Sequence, residues 1–419
     1  MKIVNLHARQ ILDSKGLPTV EAEVTLENGI KALGQVPAGA STGSTEAVEL
    51  RDGDKSRYFG KGVLKAVENI KGPIKDALIG QDAYLQEKID ELMIKIDGTD
   101  NKENLGANSI VAVSMAVCRA AARSQKTPLY KYFGQLSGNK QFKLPQPQIL
   151  ILEGGKHGNW STDIQEYMIV PQKEKFVKFS AILQAGVEVY YALEKILDEK
   201  GYATGVGSEG AFMPKEIKSN EEAFQLIMLA VEKAGYKMPA DIAIATDGAA
   251  SEFYKNGHYV LKSEGNIKLN PEEWTEKIVN WTKKYPIWSL EDMHQEEDWD
   301  QWVNLTSQVG KSIQVVGDDL LTTNVVRIKK AISKKAVNSV LIKLNQIGTV
   351  TETIKAIKLA DSAGFTTVIS HRGGETNDDI IADLVVGTSS YQCKFGGPNR
   401  GERLAKYNRL LRIEEELEK

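Results

Sequence analysis

Residues 242–371 carry five short apolar runs, each with a charged or polar residue at its end: IAIATD (242–247), WSLED (288–292), IQVVGDD (313–319), SVLIKLN (339–345) and TTVISH (366–371). Their successive spacings are 44, 27, 25 and 28 residues, counted between Asp247, Glu291, Asp318, Lys343 and His371. A βα unit takes about 30 residues. The segments between the last four runs have helical periodicity, as in 351–363. The pattern predicts parallel strands that close into a βα barrel.

The charged ends of these runs point to one functional site. In βα barrels, the chemistry lies at the C-terminal ends of the strands, on one face. A single acid at such a position is more often a solvated loop start or a helix cap. Lys343 argues against that interpretation for the whole set, because it lies inside an apolar run and a buried lysine is costly unless it is paired or functional.

The types of side chain at this predicted rim suit a metal-assisted reaction on an anion. Three carboxylates without a cysteine favour a hard cation such as Mg²⁺, whereas zinc more often brings histidine or cysteine. Lys343 is a candidate base, because neighbouring positive charge lowers the pKa of a lysine. Arg372, next to His371, can hold a phosphate or carboxylate with two parallel hydrogen bonds.

Two further acids have glycine-rich surroundings. Glu209 lies between glycines in VGSEGA (206–211), where the backbone can approach a ligand closely, and Glu166 follows the turn GGKHG (154–158). Each alone is more often a surface residue than a catalytic one.

The N-terminal part has a different pattern. Residues 18–26 (PTVEAEVTL) alternate between apolar and polar, which predicts an antiparallel strand, and Asn28-Gly29 predicts a hairpin turn. Helical patterns continue to about residue 133, and 107–124 is apolar on nearly every face, as in a buried helix. Strands followed by helices predict an α+β unit.

Two further segments have neither a helical nor a strand pattern. The prolines of LPQPQ (144–148) suit neither a helix nor a strand interior, so we place the boundary just before them, with domains at 1–138 and 139–419. The Gly/Ser/Thr-rich segment 39–44 is a plain loop or a mobile lid over the site.

Composition excludes several classes of protein. The 419 residues include 53 Lys and Arg against 56 Asp and Glu, a net charge of −3 that leaves no electrostatic footprint for nucleic acid or an anionic membrane. The two cysteines form no CxxC pair, so a zinc or redox motif is not expected. No signal-peptide core or membrane span is apparent, and we expect a cytoplasmic protein.

Nine ordered motifs are similar to those of a known family. They are ARQILDS (8–14), GASTG (39–43), AVELRD (47–52), GKH (155–157), DIQE (163–166), VGDDL (316–320), LIKLNQIG (341–348), SHR (370–372) and AKYN (405–408). Through them the chain resembles the enolase (phosphopyruvate hydratase) family over essentially its whole length.

The resemblance implies a fold of the α/β class, with an N-terminal α+β capping domain and a C-terminal enolase-type βα barrel whose first units are irregular. It also implies a lyase of glycolysis and gluconeogenesis that reversibly dehydrates 2-phosphoglycerate to phosphoenolpyruvate with Mg²⁺. The expected partners are this phosphorylated small molecule and a second copy of the chain in a homodimer, with an octamer as the alternative.

The residue roles also follow from the resemblance, motif by motif. Lys343 resembles the base, and Glu209 the acid that helps the hydroxyl to leave, with Glu166 in support. The implied metal ligands are Asp247, Glu291 and Asp318, with the lid serine Ser41 for a second Mg²⁺. The implied substrate contacts are His157, Gln165, His371, Arg372 on the phosphate, neighbouring Gly373, and Lys394 on the carboxylate.

The chain departs from the family pattern beside the phosphate and the metal. Glu153 stands where the family usually has asparagine, Ser208 where it has aspartate, and Gly373 where it has serine. Met293-His294 replaces Pro-Phe and Leu17 replaces asparagine. No departure removes a proposed base, acid or metal ligand. An enolase paralogue acting on a related phosphorylated or phosphonate acid, and a non-catalytic protein that kept the fold, therefore remain as alternatives.

Overall fold

A computed structural model of the chain describes residues 1–39 and 43–419. Its first part is a three-stranded antiparallel sheet in the order β1-β2-β3. The strands are β1 (Ile3–Leu12), β2 (Pro18–Leu26) and β3 (Lys31–Gln35). The predicted strand at 18–26 is confirmed. The predicted turn is also present: Gly29 has a φ of 81°, a conformation that favours glycine, and the Asn28 side chain accepts a hydrogen bond from the Ile30 amide.

Helices follow this sheet in the sequence. They are α1 (Leu64–Asn69), α2 (Lys75–Leu78), α3 (Gln86–Asp97), α4 (Ala107–Ser124) and α5 (Leu129–Ser137). The predicted buried helix is α4, which packs against β2 and β3. The approach is close at Gly34, where a Cβ atom would lie 2.2 Å from the carbonyl oxygen of Ala112.

The second part is a closed barrel in the order β10-β11-β12-β13-β14-β4-β5-β6. Its strands are β4 (Gln146–Glu153), β5 (Glu166–Pro171), β6 (Ile242–Asp247), β10 (Ile287–Glu291), β11 (Gln314–Gly317), β12 (Ser339–Ile342), β13 (Thr366–Ser370) and β14 (Gln392–Lys394). A small antiparallel sheet lies between β6 and β10 in the sequence. It consists of β7 (Tyr254–Lys255), β8 (His258–Leu261) and β9 (Ile267–Leu269).

The five quoted runs supply five neighbouring barrel strands, β6 and β10–β13, all paired in parallel as predicted. The irregular unit is β5, which runs antiparallel to both β4 and β6. Glu166, the first residue of β5, therefore pairs with Glu153 and Asp247, the last residues of its neighbours. The reversal brings Glu166 to the edge where the parallel strands end.

Nine α-helices follow in the barrel part of the described chain. They are α6 (Phe179–Glu199), α7 (Asn220–Lys233), α8 (Pro271–Lys284), α9 (Trp299–Val309), α10 (Val325–Lys334), α11 (Leu344–Ile347), α12 (Val350–Ser362), α13 (Ile380–Gly387) and α14 (Gly401–Leu417). Helix α8 begins with a capping box between Asn270 and Glu273. None of the helices within residues 1–39 and 43–419 has the length and hydropathy of a membrane-spanning segment.

One expectation about the linker is wrong. Pro147 is the second residue of β4 and pairs with Cys393 of the short strand β14. A proline is tolerated there because it stands at the beginning of the strand. Helix α5 ends at Ser137 and β4 begins at Gln146, and the boundary between 138 and 139 stays a prediction.

Buried polar contacts join the two parts. The Asp90 carboxylate on α3 accepts hydrogen bonds from the backbone and side chain of Thr351 at the start of α12. The Arg119 guanidinium on α4 forms a two-pronged ion pair with Asp378. These contacts fix the helices of the N-terminal part against the C-terminal side of the barrel.

Candidate active site

The predicted site residues meet at the C-terminal edge of the barrel. Asp247, Glu291 and Lys394 are the last residues of β6, β10 and β14, and Lys343 directly follows β12. A small polar cavity at this edge is lined by His157, Gln165, Glu166, Glu209, Asp247, Asp318, Lys343, Ser370, His371, Arg372, Gly373 and Lys394. Glu291 adjoins it through Lys394. Ser41, the predicted lid ligand, lies outside the described residues.

Lys394 links three carboxylates. Its Nζ atom lies 2.8 Å from Asp247 Oδ2, 2.8 Å from Glu291 Oε1 and 3.1 Å from Glu166 Oε2. Burial lowers the pKa of this lysine, but the three carboxylates raise it more, so the pKa lies well above its ordinary value. Lys394 is a fixed positive charge in the floor of the site.

Lys343 lies against Asp318, with 2.5 Å between Nζ and Oδ2. Burial and the positive charge of Arg372 lower the pKa of Lys343, yet Asp318 outweighs them and the net shift is upward. The expectation of a lowered pKa is therefore wrong for this arrangement of the site. The reason is that the nearest partner of the lysine is an anion.

Glu209 lies between two histidines. Its carboxylate oxygens are 3.7 Å from Nδ1 of His157 and 3.7 Å from Nε2 of His371. Burial raises the pKa of Glu209, but interactions with His157, His371, Arg403 and Lys394 lower it more, and the net pKa is well below its usual range. Burial lowers the pKa of both histidines, so they favour the neutral form. Because neutral rings carry little charge, Arg403 and Lys394 are the cations that favour the carboxylate form of Glu209.

Arg372 is held by a carboxylate from the N-terminal part. Its two terminal nitrogens lie 2.9 and 3.2 Å from the two oxygens of Glu46, and Nη1 also donates to Asn345 Oδ1. This is the paired geometry with which arginine binds carboxylate or phosphate. Arg372 is thus oriented for an oxyanion, and Glu46 occupies that geometry in this structure.

Several polar atoms at the cavity are buried without a hydrogen-bond partner among the described residues. They are both ring nitrogens of His157, Gln165 Oε1, Glu209 Oε2 and Glu291 Oε2. Such atoms cost free energy unless a ligand or water satisfies them. The cavity therefore suits a small polar ligand.

Within residues 1–39 and 43–419, two groups of side chains have ligand atoms within 4.8 Å of one another, close enough to share a metal ion: Asp292 with Asp318 and Asp319, and His157 with Glu166 and Glu209. Only Asp318 belongs to the predicted metal set. The Asp292 carboxylate accepts hydrogen bonds from the backbone amides of Asp318 and Asp319, with N–O distances of 2.9 and 2.8 Å. These hydrogen bonds orient the turn after β11. The edge of the barrel thus offers acidic groups that could hold a divalent metal.

Glu153, Glu46 and Arg403 contact residues of the site, but the sequence had indicated no role for them. Glu153 ends the apolar run QILILE (148–153), a signal of the same kind as the five quoted runs. Glu46 gave no such signal, because it lies 326 positions before the arginine that it contacts. Arg403, buried in α14, donates to His371 Nδ1 and to the Arg372 carbonyl, both at 2.6 Å.

A βα barrel that gathers lysines, buried carboxylates and histidines at the C-terminal ends of its strands belongs to the class of barrel enzymes with acid–base chemistry. Comparison with known families makes this specific. Residues 3–133 match the family model for the enolase N-terminal domain, and residues 141–419 match that for the enolase C-terminal TIM barrel domain. The chain belongs to the enolase family and is an enolase-like enzyme.

Proposed function

We propose that the chain is a hydro-lyase that reversibly dehydrates 2-phosphoglycerate to phosphoenolpyruvate. The observation that carries this proposal is one polar cavity lined by a candidate base, Lys343, a candidate acid, Glu209, and two fixed positive charges, Arg372 and Lys394. A substrate with a phosphate, a carboxylate and a leaving hydroxyl needs a base, an acid for the hydroxyl, and a positive charge for each of its two anionic groups.

The hardest step of this reaction is removal of the proton next to the carboxylate. That proton is very weakly acidic, and its removal adds negative charge to a group that is already an anion. Lys394 supplies a preorganised positive charge where this second charge develops. The buried position of Lys394 strengthens the interaction, since little water competes for it.

The site also fits Mg²⁺. Asp247 and Glu291 end the neighbouring strands β6 and β10, Asp318 directly follows β11, and Glu291 Oε2 has no partner among the residues the structure describes. Bound Mg²⁺ would stabilise negative charge on the substrate carboxylate. We propose these three residues as its ligands.

Lys343 has to release a proton before it can act as the base. Asp318 opposes that release, and burial with the charge of Arg372 favours it. The 2.5 Å contact with Asp318 also fixes the direction of the lysine side chain. In this arrangement Asp318 both orients the base and controls its proton.

Glu209 fits the second half of the reaction. As a carboxylate it can take a proton from water when phosphoenolpyruvate is hydrated. In the dehydration direction it must first gain a proton and then pass it to the departing hydroxyl. We propose that Glu166, whose pKa is raised well above its ordinary value by burial, supports this exchange.

The remaining contacts orient the substrate. Arg372 binds the phosphate once its two hydrogen bonds to Glu46 are broken, and His157, Gln165, His371 and the Gly373 backbone line the rest of the substrate pocket.

From family membership we further propose a glycolytic role, a cytoplasmic location, a homodimer or octamer, and domains at 1–138 and 139–419.

The paralogue hypothesis rests on Gly373. Glycine has no side-chain donor for the phosphate, and its carbonyl accepts a hydrogen bond from Arg403. A related phosphonate or phosphorylated acid could therefore suit this pocket.

The test is to incubate the protein and Mg²⁺ with 2-phosphoglycerate, and in parallel with related phosphonate and phosphorylated hydroxy acids, and to follow products by ³¹P NMR. We expect 2-phosphoglycerate to be converted fastest. Faster conversion of another acid by folded protein would favour the paralogue and contradict the proposed substrate.

A further inference from the structure

Glu153 is a buried carboxyl beside the active site that the proposed reaction does not use. It is the last residue of β4, and its Oε1 atom accepts hydrogen bonds from the backbone amides of Glu209 and Ala211, at 3.1 and 3.2 Å. Its other oxygen, Oε2, is buried and has no hydrogen-bond partner in the described parts of the chain.

The segment that carries the acid, Gly207–Ala211, is held from several sides. Its carbonyl oxygens accept hydrogen bonds from Arg400 at Gly207, Arg403 at Ser208, the Gly397 amide at Glu209 and Tyr190 at Gly210. Glu153 supplies the acceptor for two of its backbone amides. The glutamate thus completes the set of contacts that fixes this segment.

The fit between Glu153 and this segment is close. A Cβ atom at Gly207 would lie 2.1 Å from Glu153 Oε2. The carboxyl group therefore packs directly on the backbone two residues before the acid. A shift of Glu153 would be transmitted to Glu209 through both hydrogen bonds and through this contact.

From this geometry we propose that Glu153 is a positioning residue for the acid: its carboxyl group sets the backbone of Gly207–Ala211 and thereby aims the Glu209 side chain at the substrate hydroxyl. The inference rests on the proposed function. It assigns a role to Glu153, a position at which the chain departs from the family pattern. Ser208, which directly precedes Glu209, is another such departure.

The role predicts a selective defect. Lys343, the proposed base for the carbon-bound proton, lies between β12 and α11, whereas Glu153 contacts the segment that carries Glu209. Loss of Glu153 should therefore slow loss of the hydroxyl and leave proton removal intact. Proton removal can be measured separately, as exchange of the C2 proton of 2-phosphoglycerate with D₂O.

The experiment compares the unaltered protein with Glu153→Ala in the presence of Mg²⁺, with product formation followed by absorbance and C2 exchange by ¹H NMR. We expect product formation to fall by about tenfold to a hundredfold, the cost of a displaced catalytic group, with C2 exchange nearly unchanged. Glu153→Gln should keep both rates near those of the unaltered protein. Its amide keeps an oxygen for the two backbone donors, and burial, with the charge of Glu209, raises the pKa of Glu153 to about 8, so both side chains are neutral at pH 7.

Glu414 provides a matched control. It is also buried, and its carboxylate accepts hydrogen bonds from the Phe179 and Ser180 amides at the start of α6. Glu414→Ala removes the same kind of contact away from the cavity and should leave both rates unchanged. If Glu153→Ala does not fold, Glu153→Asp replaces it, because the shorter side chain cannot reach both amides and should show the same selective defect.

Equal loss of product formation and C2 exchange in a folded Glu153 variant would overturn the inference, because the residue would then support the whole site. Unchanged product formation would overturn it as well. If the unaltered protein shows neither product nor exchange, the proposed function fails, and this inference fails with it.

Discussion

Lys343 is the residue on which the proposed chemistry depends most. It was predicted from one unusual feature, a lysine inside an apolar run, and the structure places it in the polar cavity against Asp318. An apolar side chain would pack at least as well as a lysine in that position. Core packing therefore does not explain why a lysine is there.

We predict that Lys343→Ala lowers turnover of 2-phosphoglycerate by about 10²–10⁴-fold, the usual contribution of a general base. Mg²⁺ binding should survive, because Asp318 loses a competing cation and keeps its oxygens. Steady-state kinetics and Mg²⁺ titration calorimetry measure the two effects. Joint loss of activity and metal binding would indicate a structural role for Lys343 instead.

A second residue concerns stability, not chemistry. His294 is fully buried between Tyr259 and Thr275, with each ring nitrogen 3.2 Å from a hydroxyl oxygen. Burial lowers its pKa to about 3. The unfolded chain therefore binds a proton at this position between about pH 6.5 and pH 3 while the folded chain does not.

The sign of the resulting pH effect is fixed. The contribution of neutral His294 to stability is present above about pH 6.5 and is lost as the pH falls toward 3. We predict that the free energy of unfolding, measured by urea denaturation, falls less between about pH 6.5 and pH 4.5 in His294→Gln than in the unaltered protein. The difference between the two decreases should be about 2–3 kcal/mol. His258→Gln, at the exposed first residue of β8, is the control. Equal pH dependence in all three proteins would contradict the buried neutral imidazole.

At the scale of elements, the strand-end pattern was sufficient to predict β6 and β10–β13, but it did not indicate the other parallel strands, β14 and β4. Five apolar runs, the last four of them 25 to 28 residues apart, indicated these strands, because buried parallel strands need continuous apolar stretches. The reversed strand β5 could not be found this way. It begins with its functional residue, Glu166, so the signal of an apolar run ending in an acid is absent.

The same limit explains which site residues the sequence could and could not indicate. Glu153 is an acid at the end of an apolar run, so the pattern that indicated the other site residues could also have indicated it. Glu46 and Arg403 were not, since each contacts Arg372 through the tertiary fold and neither terminates an apolar run. Contacts between distant segments leave no local pattern in one sequence.

At the scale of the whole molecule, the largely buried ion pair between Arg119 and Asp378 joins the N-terminal part to the barrel. Arg119 on α4 contacts both Asp378 and Asp379, just before α13, and the Asp378 carboxylate also accepts the Gln35 amide. This places a charged connection between β3, α4 and the C-terminal side of the barrel. Removal of one partner leaves a buried charge unpaired.

We predict that Arg119→Leu lowers the free energy of unfolding by about 3–5 kcal/mol, the cost of breaking a buried pair. The double variant Arg119→Leu with Asp378→Asn should recover part of that loss, since no unpaired carboxylate remains at 378. Guanidinium denaturation measures both. A single variant as stable as the unaltered protein would show that this pair does not fasten the two parts.

The central claim is that one cavity at the end of the barrel performs a metal-assisted dehydration. The most direct measurement is continuous ultraviolet detection of phosphoenolpyruvate from 2-phosphoglycerate, with Mg²⁺, then with excess EDTA, then after Mg²⁺ is restored. The account predicts turnover that stops with EDTA and returns with Mg²⁺. No turnover by folded protein with Mg²⁺ bound would contradict it.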